Sequence, residues 1–259
     1  GGVGKSTIST NLAVGLENLG FTTGLLDADI WGFSIPRLLG IEGRLEANKD
    51  KKIVPYKRGG LEVVSTGLIT DDEDTALMWR GLMLSKALEQ FLFDVEWGNL
   101  DYLVIDLPPG TGDIQMALGR LLPQTELVVV TTPQLSAQKV ATRVADMAKR
   151  SFIPLLGVVE NMSYFESGDG NKYNIFGKGG GDELSEKFGI PLLSKIPISE
   201  DSIEESENGT PILLQNNKTP TKEAMQDLVN TIIKVLPPVS DETCTGRLAK
   251  VLEELEVEA

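Results

Sequence analysis

Seven residues at the start of the chain, Gly1-Gly2-Val3-Gly4-Lys5-Ser6-Thr7, have the types and order that a polyphosphate-binding turn needs. Glycines let the backbone curl so that successive N–H groups converge on an anion, and a helix starting beside them adds its partial positive charge. Lys5 is suited to neutralise β- and γ-phosphates, which also makes it a catalytic candidate, and the Ser6 hydroxyl is suited to ligate Mg²⁺. Gly1, Gly2, Val3, Gly4, Lys5, Ser6 and Thr7 are therefore candidate nucleotide-binding residues. The competing reading is a plain glycine-rich turn before a helix.

Acidic residues supply the second half of such a site. Asp106 ends the apolar run Tyr102-Leu103-Val104-Ile105 and leads into Leu107-Pro108-Pro109-Gly110-Thr111-Gly112-Asp113. A carboxylate there suits a water-mediated hold on Mg²⁺, and Gly110 can bring a backbone N–H close to a γ-phosphate. Asp27 and Asp29, in Leu26-Asp27-Ala28-Asp29-Ile30, fall on one side of an extended chain. The chain has no histidine. A carboxylate is then the natural group to orient or deprotonate an attacking water, with Asp29 as the catalytic candidate and Asp27 beside the nucleotide. Each acid also has a plainer reading, as a strand-terminal turn cap or a cap on the short helix near Ser34.

These residues need a frame. Ile8, Leu12, Ala13, Leu16 and Leu19 recur at helical spacing before Gly20. Residues 22–26 read as a buried strand ending at Asp27, residues 34–39 as a short helix, and 52–56 and 61–65 as brief strands. Residues 82–95 read as a helix with a stripe through Leu84, Leu88, Phe91 and Leu92. Strands are expected at 102–105, 127–130, 155–159 and 192–196, with helices at 136–150 and 221–236 and a long loop at 163–181. Continuous apolar strands alternating with helices imply an α/β fold of the P-loop NTPase type, with a mostly parallel sheet covered on both faces. Ligands of such sheets sit at the carboxyl ends of the strands, where Asp27, Asp106 and Asn161 are expected. A phosphate-binding turn of this kind normally follows a buried strand, so that first strand is expected upstream of Gly1.

Composition narrows the classes. A length of 259 residues suits one large α/β domain, expected over 1–236, with an acidic tail at 237–259 after Pro237-Pro238. In that tail Leu248, Val251, Leu252 and Leu255 recur at helical spacing among Glu253, Glu254, Glu256 and Glu258. The formal net charge of -14 disfavours nucleic acid and anionic membrane surfaces as partners. A single cysteine, Cys244, cannot close an internal disulfide. Without histidine, His-based zinc sites and Ser-His or Cys-His hydrolases are excluded. With no signal peptide or membrane-spanning run visible, a cytoplasmic location is expected.

The blocks Gly-Gly-Val-Gly-Lys-Ser, Leu26-Asp27-Ala28-Asp29-Ile30-Trp31-Gly32-Phe33-Ser34-Ile35-Pro36, Trp79-Arg80-Gly81, Asp106 to Asp113 and Val159-Glu160-Asn161-Met162-Ser163 resemble the Mrp/ApbC family. These are iron–sulfur cluster carrier ATPases in the deviant Walker A group that includes MinD and ParA, and the resemblance runs from residue 1 to about residue 236. It implies a slow, Mg²⁺-dependent ATPase working as a homodimer with ATP at the subunit interface, delivering clusters to recipient apoproteins. Within that resemblance Lys5 and Ser6 match the phosphate and Mg²⁺ residues, Asp29 the switch carboxylate that activates water, Asp106 the Walker B acid, and Asn161 a residue near the adenine. The family's signature lysine would sit immediately before Gly1. Phe33 stands where the family usually has proline. After Asn161-Met162-Ser163-Tyr164-Phe165 many members carry Cys-x-x-Cys, whereas this chain reads Glu166-Ser167-Gly168-Asp169-Gly170. Ser and Gly do not replace thiolates, so no iron–sulfur ligand is identified. The alternatives from other classes are a MinD/ParA-like positioning ATPase and a nucleotide-dependent assembly switch without a cluster.

Overall fold

Apolar residues at helical spacing after the opening glycines build α1 (Lys5–Asn18), which buries Ile8, Ala13, Val14 and Leu16 and stops where Gly20 turns left-handed. The computed structural model describes residues 2–29, 32–69, 82–110, 112–167, 169–199, 205–206 and 208–238. After α1 come β1 (Thr23–Asp27), α2 (Ile35–Leu39), β2 (Tyr56–Arg58), β3 (Leu61–Ser65) and α3 (Leu82–Phe93). Then follow β4 (Tyr102–Asp106), α4 (Gly112–Leu121), β5 (Leu127–Thr131), α5 (Leu135–Arg150) and β6 (Leu155–Glu166). The short β7 (Lys172–Tyr173), α6 (Gly180–Phe188), β8 (Leu192–Ile198) and α7 (Pro220–Val235) complete the order.

The strands form two four-stranded sheets, β2-β3-β1-β4 and a second in which β6 pairs with β5, β7 and β8. In the first sheet β1 runs parallel to β3 and β4; in the second β6 runs parallel to β5 and β8. Only β2 and β7 pair antiparallel among the described strands. Successive strand residues face opposite ways, so Leu25 and Val63 enter one core while Leu26 and Val64 enter another. The first core lies under α1 and α7 and spans both sheets, since it also takes Val159 and Ile196. On the other face the cores are separate: α3 and α4 cover Leu26 and Val64, and α5 and α6 cover Val129 and Val158. Between β4 and β5 lies a cavity of about 820 Å³, lined by Leu12, Val104, Ile105, Val128, Val130 and Leu228, with Val3 and Lys5 also on its wall.

The alternating elements match the α/β expectation, with local differences. The described strands pair in two groups, with β4 and β5 not hydrogen-bonded to each other. The strand expected at 52–56 forms at Tyr56–Arg58 instead; Pro55 has no N–H to donate, and Ile53 makes only isolated bridges to Ala47 and Val95. The strand expected to end at Val159 continues to Glu166, so Asn161 lies within β6. The expected loop at 163–181 therefore contains the end of β6, its antiparallel partner β7 and the start of α6. Helices α4 and α6 were not expected. Glycine disfavours helix interiors, yet Gly112, Gly119, Gly180 and Gly181 lie within these two helices, and the stripe Ile114, Ala117, Leu118 and Leu121 of α4 is buried against the first sheet. Packing outweighs the weak helix preference of glycine here.

Candidate nucleotide-binding site

Gly2 and Gly4 both adopt left-handed backbone, at φ 84° and 80°. Gly4 immediately precedes α1, no side chain caps that helix, and its first turn holds no acidic residue. A helix start has amides without intrahelical acceptors, and with no capping oxygen they suit an external anion. Ser9 points back into the turn, donating to the carbonyls of Lys5 and Ser6 at 3.1 Å each. Thr7 is also within α1, where its carbonyl accepts from Asn11 Nδ2 at 2.8 Å.

Three strand ends meet this turn. In register, Asp27 lies between Ser65 of β3 and Asp106 of β4. Asp27 is fully buried; one carboxylate oxygen accepts from Ser65 Oγ at 2.9 Å and the other from the Asp29 amide at 3.2 Å. Burial, then the neighbouring charge of Asp106, pushes its carboxyl from 3.8 up to about 7. Asp106 is also raised by burial, against the opposing pull of the Ser6 hydroxyl, the Lys5 ammonium and the Ser9 hydroxyl. The charge of Asp29 raises both neighbours, and its Oδ1 is buried without a hydrogen-bond partner. Gly110, left-handed at φ 73°, lies on the exposed loop after β4.

This donor set fits a magnesium–nucleotide complex better than a bare metal. Among the described residues no group of three or more His, Cys, Asp or Glu side chains is arranged to hold a metal alone. Magnesium typically keeps waters and takes phosphate oxygens beside one or two protein ligands. Ser6 and Asp106, side by side at an anion-accepting helix start, match that need.

The raised Asp27 gives a pH signature to the metal-free protein. Its contribution to stability is greatest below pH 3.8, declines as pH rises toward about 7, and is level above that. In urea unfolding with chelator present, Asp27→Asn should gain on the parent as pH increases through that window. The gain should reach on the order of a few kcal/mol. Parallel profiles would remove the buried charge as its cause.

Lys5, Ser6, Asp27, Asp29 and Asp106 are thus brought together, and Asn161 reaches the same turn from β6, donating to the Val3 carbonyl at 2.9 Å. Gly1, Ile30, Trp31, Trp79-Arg80-Gly81, Thr111, Gly168 and the tail from 239 onward, including Cys244 and its apolar stripe, lie outside the described residues. Sequence reasoning missed Ser65, Ser9 and Glu160. Ser65 had a signal, since it ends an apolar strand in the manner of Asp27 and Asp106. Glu160 adjoins Asn161 and is 1% exposed.

The chain matches the family described as ParA, NUBPL iron-transfer P-loop NTPase, over residues 1–233. The chain belongs to this family. It is 44% identical over 238 residues to the iron-sulfur cluster carrier protein of Aquifex aeolicus, covering 91% of this chain and 65% of that one. It therefore spans about two thirds of that relative's length. The iron-sulfur cluster carrier protein of Saccharolobus solfataricus is 38% identical over 239 residues, covering 91% and 81%. The nucleotide-binding protein of Archaeoglobus fulgidus, solved with ADP, superposes with a TM-score of 0.69 at 37% identity, covering 81% and 82%. The cell division ATPase MinD of Pyrococcus furiosus superposes at 0.68 with 20% identity, covering 91% and 95%, which speaks to the fold alone. Among the described residues no helix is long and apolar enough to cross a membrane.

Proposed function

We propose that this P-loop NTPase binds ATP with Mg²⁺, hydrolyses it slowly as a cytoplasmic homodimer, and carries iron–sulfur clusters to recipient apoproteins. The observation that carries the nucleotide reading is the uncapped start of α1 facing Asp106, with Lys5 and Ser6 beside that carboxylate. The carrier reading is supported by family membership and by relatives named as carriers at 38% and 44% identity.

In this reading Gly1 to Thr7 wrap the phosphates, and Lys5 balances the charge on the β- and γ-groups. Ser6 and Asp106 hold Mg²⁺, which when bound neutralises charge developing on the phosphate oxygens. Asp27 sits beside Asp106 in register, and the Asp106 charge helps to hold the Asp27 carboxyl high. The Gly110 amide lies near the γ-phosphate. Asp29 aligns a water for in-line attack and accepts its proton as the bond between the γ-phosphorus and ADP breaks.

The cargo poses a ligand problem. The turn between β6 and β7 is organised by oxygen and amide groups: Ser167 donates to Asp169 and to the Asn171 carbonyl, and Asn171 Nδ2 donates to Asp169 at 2.6 Å. The sequence carries one thiol, Cys244, so a homodimer of this chain offers two thiolates. The remaining iron positions would need ligands from a recipient or from non-sulfur donors. Anaerobic reconstitution with iron and sulfide, followed by visible charge-transfer absorption, tests this together with ATP-driven dimerisation. A cluster bound by the dimer and passed to an apoprotein is the expected result. ATP-driven dimerisation without any cluster would leave an ATPase and remove the carrier role.

A further inference from the structure

Asn161 is 8% exposed and touches the phosphate-binding turn closely: a Cβ on Gly4 would lie 2.3 Å from its Nδ2. That nitrogen donates to the Val3 carbonyl at 2.9 Å. In a trans peptide the C=O and the following N–H point in opposite directions. Holding the Val3 carbonyl against β6 therefore turns the Gly4 N–H away from β6. We propose that Asn161 is a positioning residue of the phosphate loop, fixing the Val3–Gly4 peptide so that the Gly4 N–H faces the bound phosphates. This rests on the nucleotide site proposed above.

The strand around Asn161 is shaped to deliver it. In the β6–β8 register Asn161 faces Ile196 and Phe165 faces Ile198, so β6 spends four steps where β8 spends two. Met162 absorbs part of that excess in left-handed backbone at φ 53°, a conformation costly for a non-glycine residue. Beneath the bulge, buried Glu160 accepts from Ser163 Oγ at 2.5 Å and from the Gly181 amide at 2.6 Å. That clasp ties Glu160 and Ser163, before and within the bulge, to the start of α6. Bulges of this kind re-aim a side chain, and here the side chain re-aimed is Asn161.

The resemblance implied a different contact for Asn161, with adenine, and the two roles are separable. A base-reading residue changes the preference for ATP over other triphosphates. A residue that fixes the peptide affects every ligand carrying the phosphates, including one with no base. Asn161→Asp keeps the shape, removes the donor and sets a carboxylate against the Val3 carbonyl. Calorimetric titrations of the parent and this variant with Mg-ATP, Mg-GTP and inorganic tripolyphosphate provide the comparison. All three should bind roughly tenfold or more weakly to the variant, with the ATP-to-GTP ratio kept within about twofold. Should that variant not fold, Asn161→Ser shortens the side chain and withdraws the donor without adding charge, and reads the same contrast. Unchanged tripolyphosphate affinity, or a loss confined to ATP, would overturn the proposal alone. A parent that binds none of the three would overturn both it and the nucleotide reading.

Discussion

Lys5→Ala should lose ATP binding while remaining folded. Lys5 begins α1 at the uncapped helix end, and its ammonium lies close enough to Asp106 to pull that carboxyl downward. It therefore acts on the phosphates directly and on the Mg²⁺-binding carboxylate at second hand. Removing it takes one cation from the phosphates and lets burial raise Asp106 further. Truncating one side of a hydrogen-bonded, desolvated charge pair typically costs about 2–5 kcal/mol. That corresponds to affinity lower by roughly 30-fold to several thousandfold. Titration with a fluorescent ATP analogue, beside a far-ultraviolet circular dichroism control, reads it. An affinity within about threefold of the parent would remove Lys5 from the phosphate site.

Asp29→Ala should do the opposite, keeping the nucleotide and losing the reaction. Its carboxylate takes no described hydrogen bond at Oδ1, and its charge reaches both Asp27 and Asp106. A buried, unpartnered oxygen beside the candidate Mg²⁺ ligand is available to a water that only the bound complex positions. Positioned proton acceptors typically contribute about 10²–10⁴-fold to rate. Single-turnover phosphate release should fall by roughly 100-fold or more, with ATP affinity held or slightly improved as like-charge repulsion is relieved. Asp29→Asn then divides the role: retained turnover would mean that orienting the water suffices, and equal loss would mean that Asp29 takes the proton. Unchanged turnover in both variants would assign the step to another group.

Much of this site was legible in the sequence because the signals were local. A glycine turn before a helical stripe, and apolar strands ending on Asp27 and Asp106, placed Lys5, Ser6 and both acids together without coordinates. What escaped notice depended on long-range pairing. Strand order is invisible to periodicity, which reports that a strand is buried but not which edge it offers. The bulge in β6 arises from mismatch with β8, more than thirty residues later in the chain, so Asn161 read as a strand-end residue rather than one delivered from mid-strand. Helix α6 hid behind Gly179, Gly180 and Gly181; the missing side chain of Gly180 makes room for Gln138 and the Thr132 carbonyl, and that of Gly181 for Glu160. Glycine there serves close approach, while its sequence signature is that of a turn.

The core under α1 and α7 takes residues from both sheets, while the opposite face carries two separate cores. Asp27 and Asp106 end strands of one sheet, Asn161 lies in a strand of the other, and Lys5 begins α1 over the core that both share. A ligand held from both sheets would tie their stabilities together, raising the cooperativity of unfolding even without changing the mean position of any atom.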